Sequence, residues 1–274
     1  MINLGKFKLA FRLVPVFALL ISSSPVWSDD LSESGQYLKL NGLNIYVERH
    51  GDGEPLLLLH GGLSNSDAWH KQLASLAPHF QLIVMDSRGH GRSELGPEQI
   101  SYSKMTDDVI ALLDTLNIER AHVLGWSDGA IIGLDMAIRV PERLGKLVAF
   151  GVNYHPSGVR EDVTENERFA KFFDNSAKEY QRLSPTPDQW QSFLDNITKM
   201  WANEPDFSAS QLAGITSNVL ILAGAAEEAI KIPHLYSMAE LIPKSTLTLM
   251  PGTGHFALWE KPEEFNRIVL EFLK

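Results

Sequence analysis

Five consecutive residues, Gly125-Trp126-Ser127-Asp128-Gly129, follow a short apolar run and precede an amphipathic stretch. The pattern G-x-S-x-G suits a serine exposed on a strained strand-to-helix turn. Flanking glycines let neighbouring backbones approach, and the serine then projects at a helix N-terminus, where amide dipoles favour a developing anion. That is the chemistry of a nucleophile, and Ser127 is the candidate. A hydroxyl needs a base, and the base needs an orienting acid. His255, in "MPGTGHFALWEKPEEF", stands in a loop after the last predicted strand, where the chain order serine, acid, histidine would put the base. His60 and His90 come before the serine, beside Gly-rich loops, and are read as loop structure and pocket lining. The acid is expected after "NVLILAG". No aspartate stands there; Glu227 and Glu228 are the loop's only carboxylates, and either can serve. An oxyanion hole needs two backbone N–H donors. Asp128 is expected to supply one, and Gly62, after "LLLLHGG", the other.

These residues need strands and helices to hold them. "QYLKL" and "LNIYVERHG" alternate around Asn41-Gly42 as a hairpin does. "PLLLLHGG", "QLIVMDSRGHGRS", "AHVLGWS" and "KLVAFGV" read as buried strands, several running into polar Gly-rich loops. Met105, Val109, Leu112, Leu113 and Leu116 share one helical face. "DGAIIGLDMAIRV" is helical and stops at Pro141. Strands alternating with helices predict a mostly parallel sheet with helices on both faces. Residues 154–215 break the pattern with helix-like segments only, which predicts an inserted helical cap. The strand format resumes at "NVLILAG" and "STLTLMPGTGH", and "PEEFNRIVLEFL" is a last helix. The expected organisation is a core of 29–153 and 216–274 with the cap between.

Composition narrows the function. A formal net charge of −10 repels phosphate backbones, so no nucleic-acid partner is expected. Lys6, Lys8 and Arg12 precede the apolar "LVPVFALLI", and Val26 and Ser28 suit a cleavage site, so residues 1–28 read as a secretory signal peptide. The alternative is an uncleaved anchor. Cleavage predicts a periplasmic or secreted protein with no stable membrane association. The absence of cysteine removes disulfides, thiolate metal sites and a cysteine nucleophile. There is no GxxxxGK[ST] loop and no HExxH helix, so no cofactor and no metal are expected. Arg88 and Arg92, in "DSRGHGRS", are read as scaffolding of a Gly-rich loop rather than an anion site.

In the order "LLLLHGG", "MDSRGHGRS", "LGWSDG", "VLILAGAAEEAI" and "PGTGHF", the chain resembles the α/β-hydrolase superfamily, in particular its small, capped, esterase-like members. The resemblance spans about residues 36–274, and the "GWSDG" form is also similar to valacyclovir-hydrolase-like members. It implies the α/β-hydrolase fold, Ser127 as nucleophile, His255 as base, and Gly62 and Asp128 as oxyanion donors. The family's usual acid motif is G-x-x-D. Counting from Gly224 gives Glu227, a departure by one methylene that leaves the carboxylate chemistry equivalent.

The resulting expectation is a serine hydrolase acting on a small or medium carboxylic ester through an acyl-enzyme. Trp126, Tyr154, Trp201 and Phe256 are expected to line its pocket. Phe169, Phe172, Phe173, Tyr180, Trp190 and Phe193 divide between the cap's own core and that pocket. The Asp128 side chain has two readings: it meets the helix macrodipole, or it recognises an amine on the substrate. Amidase or peptidase action, perhydrolysis and carbon–carbon bond hydrolysis remain open on the same triad. So does a non-catalytic ligand-binding protein with a degenerate triad.

Overall fold

Asn41 and Gly42 both adopt positive φ, 46° and 85°, and turn β1 (Gln36–Leu40) back onto β2 (Leu43–His50). Positive φ at both positions matches the twist of a two-residue hairpin. The computed structural model describes residues 35–274. The expected signal peptide, 1–28, and the first residues of the expected core, 29–34, lie outside the described residues.

The hairpin starts an eight-stranded sheet. It continues with β3 (Glu54–Leu59), β4 (Phe80–Met85), β5 (Ala121–Trp126), β6 (Leu144–Phe150), β7 (Val219–Gly224) and β8 (Ser245–Met250), in the spatial order β1-β2-β4-β3-β5-β6-β7-β8. β1 and β2 pair antiparallel, as do β2 and β4; all other neighbours are parallel. Every position of β5 and of β7 is buried. This is why these strands read as continuous apolar runs and not as alternation: both faces of the sheet are covered.

Helices connect the strands. α1 (Leu73–Leu76) follows β3, α2 (Tyr102–Thr115) follows β4, and α3 (Asp128–Arg139) follows β5. α2 starts at Ser101, whose side chain accepts the N–H of Lys104, and buries Met105, Val109, Leu112 and Leu113. Between β6 and β7 run α4 (Glu167–Leu183), α5 (Trp190–Asn203) and α6 (Ala209–Ala213), with short 3₁₀ turns. Strand-like geometry enters this segment only as an isolated bridge, Val159 to Ile230. α7 (Ile232–Leu241), α8 (Ala257–Glu260) and α9 (Pro262–Leu273) complete the described chain. No helix among the described residues is long and apolar enough to cross a membrane.

Two glycines decide how closely α3 seats on the sheet. A Cβ on Gly125 would lie 2.5 Å from the amide nitrogen of Ala130, and one on Gly129 would strike the carbonyl of Leu59. Both obstacles are backbone and cannot rotate away. Gly129→Ala therefore separates α3 from the end of β3. We expect it to cost about 2–4 kcal/mol of stability, measured as a shift of the denaturant midpoint at unchanged slope. A midpoint equal to wild type would show that the contact is not tight.

Candidate active site

Strand β5 ends at Trp126 and helix α3 begins at Asp128, so Ser127 alone makes the turn. Its φ of 52° and ψ of −116° lie outside the regions that L-residues favour. Such strain, of order 1–3 kcal/mol, persists only where the surroundings enforce it. The surroundings here are the Gly125 and Gly129 contacts and the Ser127 N–H, which donates to the carbonyl of Phe150 at 2.8 Å. Asp128 is the first helical residue, so its N–H has no partner within the helix.

His255, after β8, and Glu227, after β7, meet across their two loops. His255 Nδ1 lies 2.6 Å from Glu227 Oε1, and both side chains are buried. The same oxygen accepts the N–H groups of Ala229 at 3.0 Å and Ile230 at 3.3 Å. Since Nδ1 faces a carboxylate it carries the proton, which leaves Nε2 able to accept one. Phe169 packs on the imidazole with ring centroids 5.4 Å apart, and Trp126 Nε1 donates to the His255 carbonyl at 3.1 Å. Of the two glutamates that the sequence left open, Glu227 is the one facing the ring. The Glu228 carboxylate accepts the backbone N–H of His255.

Ser127 and His255 both line one cavity of about 200 Å³. Gly61 and Gly62 lie at its edge, as do Trp126, Trp201 and Phe256. Tyr154 does not line it. Its ring stacks on His234, with centroids 4.0 Å apart, while its neighbours Asn153 and Pro156 reach the cavity. Of the aromatic residues between β6 and β7, Phe169, Phe172, Phe173 and Trp201 line the cavity. Tyr180, Trp190 and Phe193 pack on one another, Tyr180 and Phe193 stacked at 5.0 Å.

The Asp128 side chain is buried in this cavity wall. Tyr102 Oη donates to Oδ1 at 2.9 Å, and Trp201 Nε1 donates to both carboxylate oxygens at 3.0 Å. Burial pushes the Asp128 carboxyl up to about 6, against the pull of the Trp201 and Tyr102 hydrogen bonds. Burial also raises the Tyr102 phenol, reinforced by the adjacent Asp128, so it remains a neutral donor. Gly62 belongs to this arrangement: a Cβ on it would lie 2.5 Å from Asp128 Oδ2 and strike the Trp201 ring. Tyr102, Asn153 and Glu204 also line the cavity and were missed in the sequence. Tyr102 starts a helix that reads as ordinary and amphipathic, and nothing near it in sequence pointed to Asp128.

His60 and His90 stand outside the cavity lining, which corrects the pocket part of their reading. His60 Nδ1 donates to the Gly61 carbonyl at 2.8 Å, and its Nε2 accepts the Ser87 N–H at 3.0 Å. Burial lowers the pKa of both imidazoles, that of His90 to about 3, so they remain neutral parts of the loops. Arg88 makes a two-pronged contact with Asp108 at 2.6 and 2.7 Å, and Arg92 pairs with Asp67 and Asp86. These carboxylates occupy both guanidinium groups. Among the described residues no cluster of histidine, aspartate and glutamate is arranged to hold a metal ion.

Comparison with known proteins places this geometry. The family described as alpha/beta hydrolase fold matches residues 54–188. The proposed carbamate hydrolase RutD of Caulobacter sp. (strain K31) is 29% identical over 258 residues, covering 84% of this chain and 95% of that protein. The 2-hydroxy-6-oxo-6-phenylhexa-2,4-dienoate hydrolase of Comamonas testosteroni is 26% identical over 266 residues, covering 86% and 93%. Among solved structures, the meta-cleavage product hydrolase CumD of Pseudomonas fluorescens IP01 superposes with a TM-score of 0.77 at 22% identity, covering 88% of this chain and 98% of that one. With its eight-stranded sheet and a serine on the strand-to-helix turn, this chain is a hydrolase that belongs to the α/β-hydrolase superfamily.

Proposed function

We propose that this hydrolase cleaves a small or medium carboxylic ester, uncharged or amine-bearing, through an acyl-enzyme on Ser127. The observation that carries this reading is the cavity lining. It is mostly apolar and aromatic, it includes the Asp128 and Glu204 side chains, and among the described lining residues there is no lysine or arginine. An anionic substrate would leave water for a low-dielectric space without a counter-charge. A neutral ester brings no charge to desolvate and gains from burying its apolar parts.

Ser127 Oγ attacks the carbonyl carbon while His255 Nε2 takes its proton. Glu227 stabilises the resulting imidazolium through Nδ1–H. The carbonyl oxygen becomes an oxyanion that accepts the N–H groups of Asp128 and Gly62. As the tetrahedral adduct collapses, the C–O bond to the leaving group breaks and His255 returns the proton to the alkoxide. Water, deprotonated by His255, then hydrolyses the acyl-enzyme and restores Ser127. Helices α4 to α6 act as the cap, over 154–215, since Phe169, Phe172, Phe173 and Trp201 close the cavity from that segment. The leader-like residues 1–28 support export to the periplasm or beyond.

A second reading, hydrolysis of a carbon–carbon bond, is favoured by the relatives named for dienoates and meta-cleavage products. A dienoate carries a carboxylate, and the cavity offers that group no cation.

Two tests decide between them. A fluorophosphonate probe is expected to label wild type and not Ser127→Ala. Glu227→Gln should slow labelling by about a thousandfold, because the histidine loses its orienting acceptor. A wild type that is folded yet unlabelled would favour the ligand-binding alternative. In the second test, kcat/KM is compared for matched neutral, amine-bearing and carboxylate-bearing esters and for a dienoate. The carboxylate-bearing ester should be at least about tenfold poorer than the neutral one. Asp128 gains its negative charge as pH rises through about 6, so the amine-to-neutral ratio should climb over that interval and flatten in Asp128→Asn. A ratio independent of pH would remove amine recognition from the proposal. Preference for the dienoate would replace the ester reading altogether.

A further inference from the structure

Glu228 sits beside the acid that faces the imidazole, but its carboxylate holds the backbone. Its Oε2 accepts the His255 N–H at 2.6 Å, and its Oε1 lies 3.1 Å from Arg168 Nη1. Glu260, in α8, repeats the arrangement one residue earlier. Its Oε2 accepts the Gly254 N–H at 2.8 Å, and its Oε1 pairs with the same Arg168 nitrogen. Two consecutive peptide N–H groups leading into the histidine are thus held by two carboxylates, and one guanidinium from α4 joins both.

Gly254 fits this assembly closely. A Cβ there would strike the Glu228 carboxylate. The glycine before His255 therefore makes room for an acceptor that reaches the histidine's own amide. Hydrogen bonds from amides to ionised carboxylates are the strong kind. The Arg168 side chain is more than half exposed, so its ion pairs are screened and contribute less. What Arg168 adds is orientation: it offsets the repulsion between two adjacent carboxylates and aims each one at its amide. The next residue along α4, Phe169, lines the cavity and packs on the His255 ring. One turn of α4 therefore touches both the base's ring and the carboxylates that hold its backbone.

We propose that Arg168, Glu228 and Glu260 are positioning residues for His255, through which helix α4 sets where the base stands relative to Ser127. The proposal rests on the serine-hydrolase reading, in which His255 is the base. Its test uses two readouts on the full chain: the fluorophosphonate inactivation rate with its saturation constant, and the downfield proton resonance of the His255 Nδ1–H. Glu228→Ala should lower the maximal inactivation rate about tenfold, with the saturation constant unchanged, and should broaden the resonance. Glu228→Gln keeps an amide oxygen for the His255 N–H and should recover to within about threefold of wild type, with the resonance sharp. Arg168→Gln should cost about threefold in wild type and nothing in a Glu228→Gln, Glu260→Gln background, because it acts only through those carboxylates. Thermal melting identifies any variant that has merely unfolded, and Glu228→Gln preserves the shape of the site.

Wild-type rate and resonance in Glu228→Ala would overturn the proposal. So would equal losses in Glu228→Ala and Glu228→Gln, or a full Arg168→Gln effect in the double background. If wild type is not labelled at all, the serine-hydrolase reading fails separately. The resonance alone then decides the brace: broadening in Glu228→Ala that Glu228→Gln reverses supports it, and an unchanged signal overturns it.

Discussion

The approach of α3 to the ends of β3 and β5 is the constraint on which the site depends. Gly129 lies against the carbonyl of Leu59, and Gly125 lies under the first turn of the helix. That close approach accompanies the Ser127 φ of 52°, and Asp128, Gly61 and Gly62 line the same cavity. Widening it by one methyl would relax the serine and separate the two proposed oxyanion donors together. The strain at Ser127 and the geometry for anion binding are therefore one feature. The parallel strands β3, β5 and β6 supply the stiffness that maintains it, because the side chains of residues 56–59, of β5 and of residues 147–150 are buried and cannot give way cheaply.

The second organising influence is electrostatic. Buried acidic groups surround the serine, and each is handled differently. Glu227 is compensated by the imidazole and two loop amides. Asp128 meets only neutral donors, a phenol and an indole, so burial raises its pKa. A carboxyl titrating near 6 in the cavity wall adds negative charge there as pH rises through that value. Neither protonation state welcomes an anion. The indole comes from α5 and the phenol from α2, so the same carboxyl ties the helical segment after β6 to the body of the sheet.

Much of this was legible in the sequence, for identifiable reasons. Every strand from β1 to β8 was marked by alternation or by an apolar run, because hydrophobic period and burial are local properties of a chain. Ser127 and His255 were found through loops that follow strands. Residue type alone leaves Glu227 and Glu228 open, since adjacent residues differ only in where their side chains turn; the family spacing from Gly224 points to Glu227, and that is the carboxylate facing the imidazole. Tyr154, expected in the pocket, instead stacks its ring on His234, an orientation that no local sequence pattern marks. Tyr102, Asn153 and Glu204 carry no motif. The Asp128 side chain was read against charge alone, whereas its partners are uncharged and lie 26 and 73 residues away.

A glutamate where the family commonly has an aspartate raises the question of how one extra methylene is absorbed. The loop after β7 answers it. A single Glu227 oxygen, Oε1, receives the imidazole and the amides of Ala229 and Ile230. Those amides belong to the segment that bridges to Val159 and exchanges backbone hydrogen bonds with Gly158 and Arg160. The carboxylate is therefore fixed by a loop that is itself anchored outside the sheet. Three donors converging on one oxygen, Oε1, restrict where the end of the side chain can lie. The side chain is longer, but its end is no freer than a shorter acid's would be. The longer acid therefore still meets the imidazole, while the neighbouring Glu228 carboxylate accepts the His255 backbone N–H.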